Sequence, residues 1–231
     1  MKLSVVVPVF NEVDTIQEIL ERIKSVPIEK EILIIDDGSS DGTREKLKQL
    51  EDSNNTLFKV FYHERNKGKG AALRTGFQRV NGDIVLVQDA DLEYDPVEYP
   101  ALLDPILRGA ADVVYGSRLS GGRPQRVYLF WHKVGNGFLT LFTNFLYNTT
   151  LTDMETGYKV FRREVIQSIT IRSDDFRVEP ELTAKVFKGG KWRVYEIPIS
   201  YYGRTYAEGK KIHWTDGFKA LWTLIKFRFI D

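Results

Sequence analysis

Ile84-Val85-Leu86-Val87-Gln88-Asp89-Ala90-Asp91 is an apolar run, rich in β-branched residues, that ends in two carboxylates. Its first half carries no polar side chain and reads as a strand buried on both faces, inside a sheet with helices on either side. Asp89 and Asp91 are two positions apart, so in a chain that stays extended both carboxylates leave the same side. Like charges this close are comfortable only if one keeps a proton or a cation sits between them and a ligand. Hard carboxylate oxygens suit Mg²⁺ or Mn²⁺. Taken alone, the stretch fits a strand-end turn equally well, since Asp95-Pro96 follows closely.

Outward from this run, strands and helices alternate. Leu3 to Val9 is a valine-rich strand, and Thr15-Ile16-Gln17-Glu18 has the spacing of a capping box that opens a helix with Ile16, Ile19, Leu20 and Ile23 on one face. Glu31 to Asp36 is a second strand, ending in the turn cluster Asp36-Asp37-Gly38-Ser39-Ser40-Asp41-Gly42, and a helix follows through Leu50. Leu57 to Tyr62 is a third, Ile84 to Gln88 the fourth, and Asp112 to Tyr115 a fifth, with helices after Gly70 and from Pro96 to Arg108 between them. This alternation predicts an α/β sheet, mostly parallel, wound from right-handed crossovers.

Ligands of such sheets bind outside the carboxyl ends of the strands. The rule gathers Pro8 to Glu12, Asp36 to Asp41, Asp89 to Asp91 and Ser117-Arg118 into one crevice. Turns alone would need only glycine and asparagine there, so the convergence of charge favours a metal and anion site over a plain turn. Arg118 read alone is a surface ion pair, which is the weaker reading at a strand's carboxyl end.

Composition removes several classes. With 33 basic against 32 acidic residues the chain lacks the overall positive charge of a nucleic-acid binder. There is no cysteine, which excludes disulfide frameworks, zinc-thiolate sites and thiol nucleophiles. No window reaches the roughly 20 apolar residues of a membrane span, and the N-terminus reads as a strand rather than a signal peptide. The expected location is cytoplasmic.

After Arg118 the pattern changes. Phe130 to Tyr147 reads as an apolar, aromatic-rich helix, Pro180 to Phe187 as another, and Lys191 to Pro198 as a strand. From Trp214, residues Phe218, Leu221, Trp222, Ile225 and Phe229 follow helical spacing. The expectation is that the helix from Phe130 covers the sheet and that the last helix packs its aromatic face on the core. A wall for a lipid-like acceptor, or a helix resting on a bilayer, is the lesser alternative.

The ordered set Val7-Pro8-Val9-Phe10-Asn11-Glu12, Ile35-Asp36-Asp37-Gly38-Ser39-Ser40-Asp41-Gly42-Thr43, Asn66-Lys67-Gly68-Lys69-Gly70, Gln88-Asp89-Ala90-Asp91-Leu92-Glu93, Gly116-Ser117-Arg118 and Thr152-Asp153-Met154-Glu155-Thr156-Gly157-Tyr158-Lys159 resembles family-2 glycosyltransferases of the GT-A fold, in the dolichyl-phosphate mannose synthase-like branch. The resemblance spans nearly the whole chain. It implies a single Rossmann-like α/β domain over 1–231, with a nucleotide-sugar and metal-binding half at 1–118 and an acceptor-side half at 119–231. It also implies inverting transfer of a hexose, mannose or glucose, from a GDP- or UDP-hexose with Mg²⁺ or Mn²⁺. The implied acceptor is a polyprenyl phosphate, on the inner face of the cell membrane.

By the same resemblance Pro8, Phe10, Glu12 and Asp37 line the donor, Lys67 and Gly68 pass close to it, and Ala90 is the small residue between the aspartates. Asp91 is the main metal ligand, with Asp89 and Glu93 beside it, and Arg118 binds phosphate. The cluster Arg204-Thr205-Tyr206-Ala207-Glu208-Gly209-Lys210-Lys211 resembles the family's basic loop, in which Arg204 and Lys210 meet phosphate. A metal and arginines suit the chemistry because the departing nucleoside diphosphate carries new negative charge.

The acceptor is less legible. A sugar hydroxyl needs a general base, for which Glu179 is the candidate beside Glu181, whereas a monophosphate is already largely ionised, its second pKa being about 6. A saccharide-extending transferase therefore stays open, as does a sugar-nucleotide-binding protein without turnover. A nucleotidyltransferase fits less well, since no glycine-rich phosphate loop stands near the N-terminus.

Overall fold

Alternation along the first strand, β1 (Leu3–Val9), feeds two apolar layers: Val5 and Val7 join one cluster and Val6 the other. The computed structural model describes residues 1–52, 57–127, 130–205 and 215–230. In chain order the remaining elements are α1 (Ile16–Ser25), β2 (Lys30–Asp36), α2 (Thr43–Asp52), β3 (Phe58–Tyr62), α3 (Lys69–Phe77) and β4 (Ile84–Val87). A 3₁₀ turn at Pro96–Glu98 leads into α4 (Tyr99–Leu107), followed by β5 (Val113–Ser117), α5 (Phe130–Tyr147), β6 (Lys159–Arg162) and α6 (Arg163–Ser168). The last described elements are α7 (Val178–Phe187), β7 (Val194–Pro198) and α8 (Thr215–Phe229).

The strands form one sheet in the order β3-β2-β1-β4-β6-β5-β7. One face carries the buried residues of α1 and α4; the other carries those of α3, α5, α7 and α8. β1 lies between β2 and β4, parallel to both, so the chain leaves it in opposite directions across the sheet and a crevice opens at its carboxyl end. The single α/β domain is as expected. One strand departs from the parallel winding: β6 runs antiparallel to β4 and β5 and separates these consecutive strands.

Other local expectations are corrected. Thr15 makes no side-chain cap and lies in helical backbone space; its hydroxyl donates instead to Glu12 Oε2 at 3.0 Å. The capping box is absent because the first turn is closed by the Glu12 carbonyl, which accepts from the Ile16 N–H at 2.9 Å. The short α6 is not foreseen by the sequence pattern.

α8 turns its aromatic face the other way from expectation, and α5 covers the sheet with only a narrow part of its apolar surface. α8 buries Ala220, Thr223, Leu224 and Phe227, while Phe218, Trp222 and Phe229 are exposed, Trp222 by 64%. α5 buries Leu139, Thr140, Thr143 and Tyr147 and exposes Phe130, Trp131, Phe138, Leu141 and Phe145, the last by 84%. Small and aliphatic residues let α5 and α8 approach each other, sealed by Tyr147 donating to the Leu224 carbonyl at 2.7 Å. The bulkier rings are left outside.

Candidate active site

The carboxyl ends of β1 and β2 are tied before any ligand is considered. Asn11, in left-handed backbone at φ 52°, donates its N–H to Ser39 Oγ and accepts the Ser40 N–H on Oδ1, both at 2.9 Å. Asp36 is a structural residue, held by Arg44 Nε at 2.6 Å and the Ser39 N–H at 3.1 Å. Asp37 accepts from the backbone N–H groups of Lys67 (3.0 Å) and Gly68 (2.6 Å), and its Oδ1 lies 2.6 Å from His63 Nδ1. Gly68 has φ +99°, and a Cβ there would meet the Asp174 carbonyl at 2.4 Å, so only glycine passes between these segments.

At the end of β4 the chain does not stay extended. β4 stops at Val87, and Gln88 clamps the following turn: its Oε1 accepts from Tyr158 OH at 2.6 Å and Tyr99 OH at 2.9 Å, and its Nε2 donates to the Asp89 carbonyl at 3.0 Å. Leu92 is forced to φ 62°, a costly setting for a residue with a side chain. The two aspartates consequently face different cations. Lys69 Nζ takes Asp89, at 2.7 Å from Oδ1, and also reaches Glu179 Oε1 at 2.9 Å. Asp91 turns to Arg204, at 3.3 Å from Nη2.

Around Asp91 acidity accumulates. Arg204 makes a forked pair with Glu12, both contacts at 3.1 Å, and its backbone N–H donates to Glu93 Oε1 at 2.7 Å. Tyr201 OH donates to Glu93 Oε2 at 2.8 Å. Burial, then the charges of Glu93 and Asp89, push the Asp91 carboxyl up to about 7 against the pull of Arg204. Among the described residues, no three His, Asp or Glu side chains form a ready-made metal cage. Mg²⁺ bound beside phosphate needs only one or two carboxylates, with the phosphate oxygens and water supplying the rest, and Asp91 with Glu93 fits that requirement. Asp89, taken by Lys69, does not join them around one point.

Arg118 sits at the end of β5 and is largely committed to buried Asp153: Nε to Oδ2 at 2.6 Å, Nη2 to Oδ1 at 2.7 Å, and its own backbone N–H to Oδ2 at 2.9 Å. Glu179, expected as a base, is buried against Lys159 and Lys69; burial raises its carboxyl, but the two ammonium groups more than offset this and hold it below the usual range. A carboxylate held that way is a poor proton acceptor. Its neighbour Glu155 behaves oppositely: burial, with Glu179 and Asp153 nearby, pushes it up to about 7 despite Lys159 and Arg118.

These groups line one cavity of about 870 Å³. Its walls include Pro8, Phe10, Glu12, Asp37, Gly68, Asp89, Ala90, Asp91, Glu93, Arg118, Glu179 and Arg204, so most of the expected residues meet in one place. Lys67 contributes a backbone contact while remaining exposed, and Lys210 lies outside the described residues. The lining also includes Trp131 and Phe138 of α5 and Phe218 of α8. Sequence reasoning assigned no role to Lys69, Asp153 or Glu155, although all three lie inside the quoted motifs; a buried lysine shows itself only through its partners.

A switch-point crevice in an α/β sheet, acidic on one side, with arginine and lysine between the carboxylates, is the architecture of a GT-A glycosyltransferase. The chain belongs to glycosyl transferase family 2, whose model matches residues 4–170. It is 29% identical over 214 residues to a dolichol-phosphate mannosyltransferase of Pyrococcus furiosus, covering 91% of this chain and 59% of that protein. It is 30% identical to a low-salt glycan biosynthesis hexosyltransferase of Haloferax volcanii, covering 99% and 53%. An undecaprenyl-phosphate mannosyltransferase of Micrococcus luteus is 27% identical, with 91% and 87% covered. The chain thus spans little more than half the length of the first two relatives. Among solved structures, glucosyl-3-phosphoglycerate synthase from Mycobacterium tuberculosis in complex with Mn²⁺, UDP-glucose and phosphoglyceric acid shares the fold, with a TM-score of 0.75 at 20% identity over 100% of this chain and 80% of that one.

Proposed function

We propose that this chain is an inverting hexosyltransferase that moves mannose or glucose from a GDP- or UDP-hexose to a polyprenyl phosphate, acting as a peripheral protein on the cytoplasmic face of a membrane. The observation that carries this reading is the continuity of the cavity. The same cavity is lined by Glu12, Asp91 and Arg204 and by Trp131, Phe138 and Phe218, three rings that are themselves more than half exposed on α5 and α8. Such a channel suits an acceptor with a charged head and a long apolar tail. No helix among the described residues is long and apolar enough to cross a membrane; the exposed rings of α5 and α8 are of the kind that rests on a lipid surface. Names borne by the relatives support the acceptor class.

Residues of the chain divide the work. Asp37 and Gly68, locked together, flank the nucleoside. Asp91 and Glu93 would hold Mg²⁺ or Mn²⁺, which supplies Lewis-acid stabilisation of the departing diphosphate. Arg204 and Arg118 bring guanidinium groups to the same space, and Arg126 and Lys133 line the acceptor side. A phosphate acceptor needs no base, consistent with Glu179 being held by two lysines. One observation favours a second reading, transfer to a saccharide hydroxyl: Glu155, raised to about 7 beside the cavity, is suited to take a proton.

The test is incubation with Mn²⁺ and labelled nucleotide sugars, with and without a short polyprenyl phosphate, followed by partition. Label should enter the organic phase only with the lipid. Label that stays aqueous with every acceptor overturns the reading. Asp91→Ala should lose metal-dependent turnover while remaining folded.

A further inference from the structure

Arg204 stands where a cation belongs. Its guanidinium pairs with both oxygens of Glu12 at 3.1 Å and with Asp91 Oδ2 at 3.3 Å, and Glu93 accepts its backbone N–H at 2.7 Å. Three carboxylates, one after β1 and two in the turn after β4, therefore share one guanidinium. The fit is incomplete. Nε is buried without a hydrogen-bond partner, 3.9 Å from Glu93 Oε1. Glu12 fills the fork between Nη1 and Nη2, and the Nε donor is left for a further oxygen, of which a diphosphate has several.

We propose that Arg204 is the resident counter-ion of this carboxylate cluster, and that a nucleoside diphosphate and its divalent metal bind by exchange. The guanidinium passes to the diphosphate as Asp91 and Glu93 pass to the metal. The inference rests on the reading of the site as a metal and diphosphate centre. Either ligand alone meets a penalty: a metal finds Asp91 already paired with a guanidinium, and a diphosphate must draw Arg204 away from the buried carboxylates whose charge it offsets. Together they cancel both costs. The exchange makes metal and nucleotide binding positively coupled, by the same factor in each direction.

The experiment titrates Mn²⁺ alone, by electron paramagnetic resonance, into the wild-type chain, Arg204→Met and Asp91→Asn, and then repeats each titration with UDP or GDP, allowing for the Mn²⁺–nucleotide complex formed in solution. Arg204→Met should bind Mn²⁺ alone about tenfold more tightly than wild type, and the gain from adding nucleotide should shrink by a similar factor. Mn²⁺ binding that requires Asp91 but is unchanged in Arg204→Met overturns the exchange while leaving the metal site intact. Absence of Asp91-dependent Mn²⁺ binding, even with nucleotide, overturns the site reading and the exchange with it. Should Arg204→Met fail to fold, Arg204→Gln followed by thermal melting decides: Mn²⁺ alone must raise its melting temperature more than that of wild type, and an equal or smaller rise overturns the exchange.

Discussion

Lys69 holds Asp89 by both carboxylate oxygens, with Nζ 2.7 Å from Oδ1 and 3.0 Å from Oδ2. The same ammonium group reaches Glu179. Burial lowers the lysine's pKa, but the two carboxylates more than offset this and raise it above its ordinary value. Lys69→Met would strand Asp89 and leave Glu179 to Lys159 alone, at a cost on the order of 3–5 kcal/mol. Urea denaturation should show that the pair Lys69→Met with Asp89→Asn costs less than the sum of the single changes; simple additivity would refute the coupling.

Gly157 leaves open the space that the Asp89 carboxylate occupies. A Cβ at position 157 would lie 2.2 Å from Asp89 Oδ2. Gly157→Ala should destabilise the fold by roughly 1–3 kcal/mol, as overpacking does. Turnover should fall further than stability accounts for, since Asp89 must shift within the cavity. Activity assayed well below the melting temperature checks this, and a rate equal to wild type contradicts it.

Glu155 should leave a signature in pH. Its carboxyl is raised to about 7 in the folded chain, mainly by burial, against an ordinary value of about 4.3 when unfolded. Between those values the folded state binds more protons, so stability falls as pH rises through this window. Glu155→Gln removes that loss. Its melting temperature relative to wild type should be unchanged near pH 4, rise toward pH 7 and then level off; a constant difference across the range would be incompatible.

The outward rings of α5 and α8 should be dispensable for folding. Phe145 and Trp222 are 84% and 64% exposed and line neither the cavity nor the core. Changing both to Ser should alter unfolding free energy by no more than about 0.5 kcal/mol each. Sedimentation with anionic vesicles should drop markedly. Retention of full vesicle binding would move the membrane contact elsewhere.

Much of this was legible in the residues because β-branched apolar runs mark strands wherever they lie, and the strand-end rule then collects their polar punctuation. What escaped was set by tertiary contacts. Asp89 and Asp91 could share a side only in an extended chain, yet pairing of β4 with β1 ends at Val87 and Gln88 turns the backbone. α8 carries apolar residues on more than one face, so spacing identified a helix without saying which face Leu224 and Phe227 would claim. The direction of β6 is likewise invisible in four residues, Lys159–Arg162.

That reversed strand has a kinetic meaning. β6 joins partners as distant in sequence as Leu86 and Val160, and its other edge closes on β5. The loop leading into it carries Asp153, Glu155 and Gly157, which complete the surroundings of Arg118 and Asp89. During synthesis, β1 to β4 can pair early through nearby segments, but β4 and β5 wait for a strand made much later, at the entropic expense of closing a long loop. The candidate site is therefore completed only once the chain has passed β6, and a chain interrupted before Lys159 would leave the facing edges of β4 and β5 unpaired and lack Arg204.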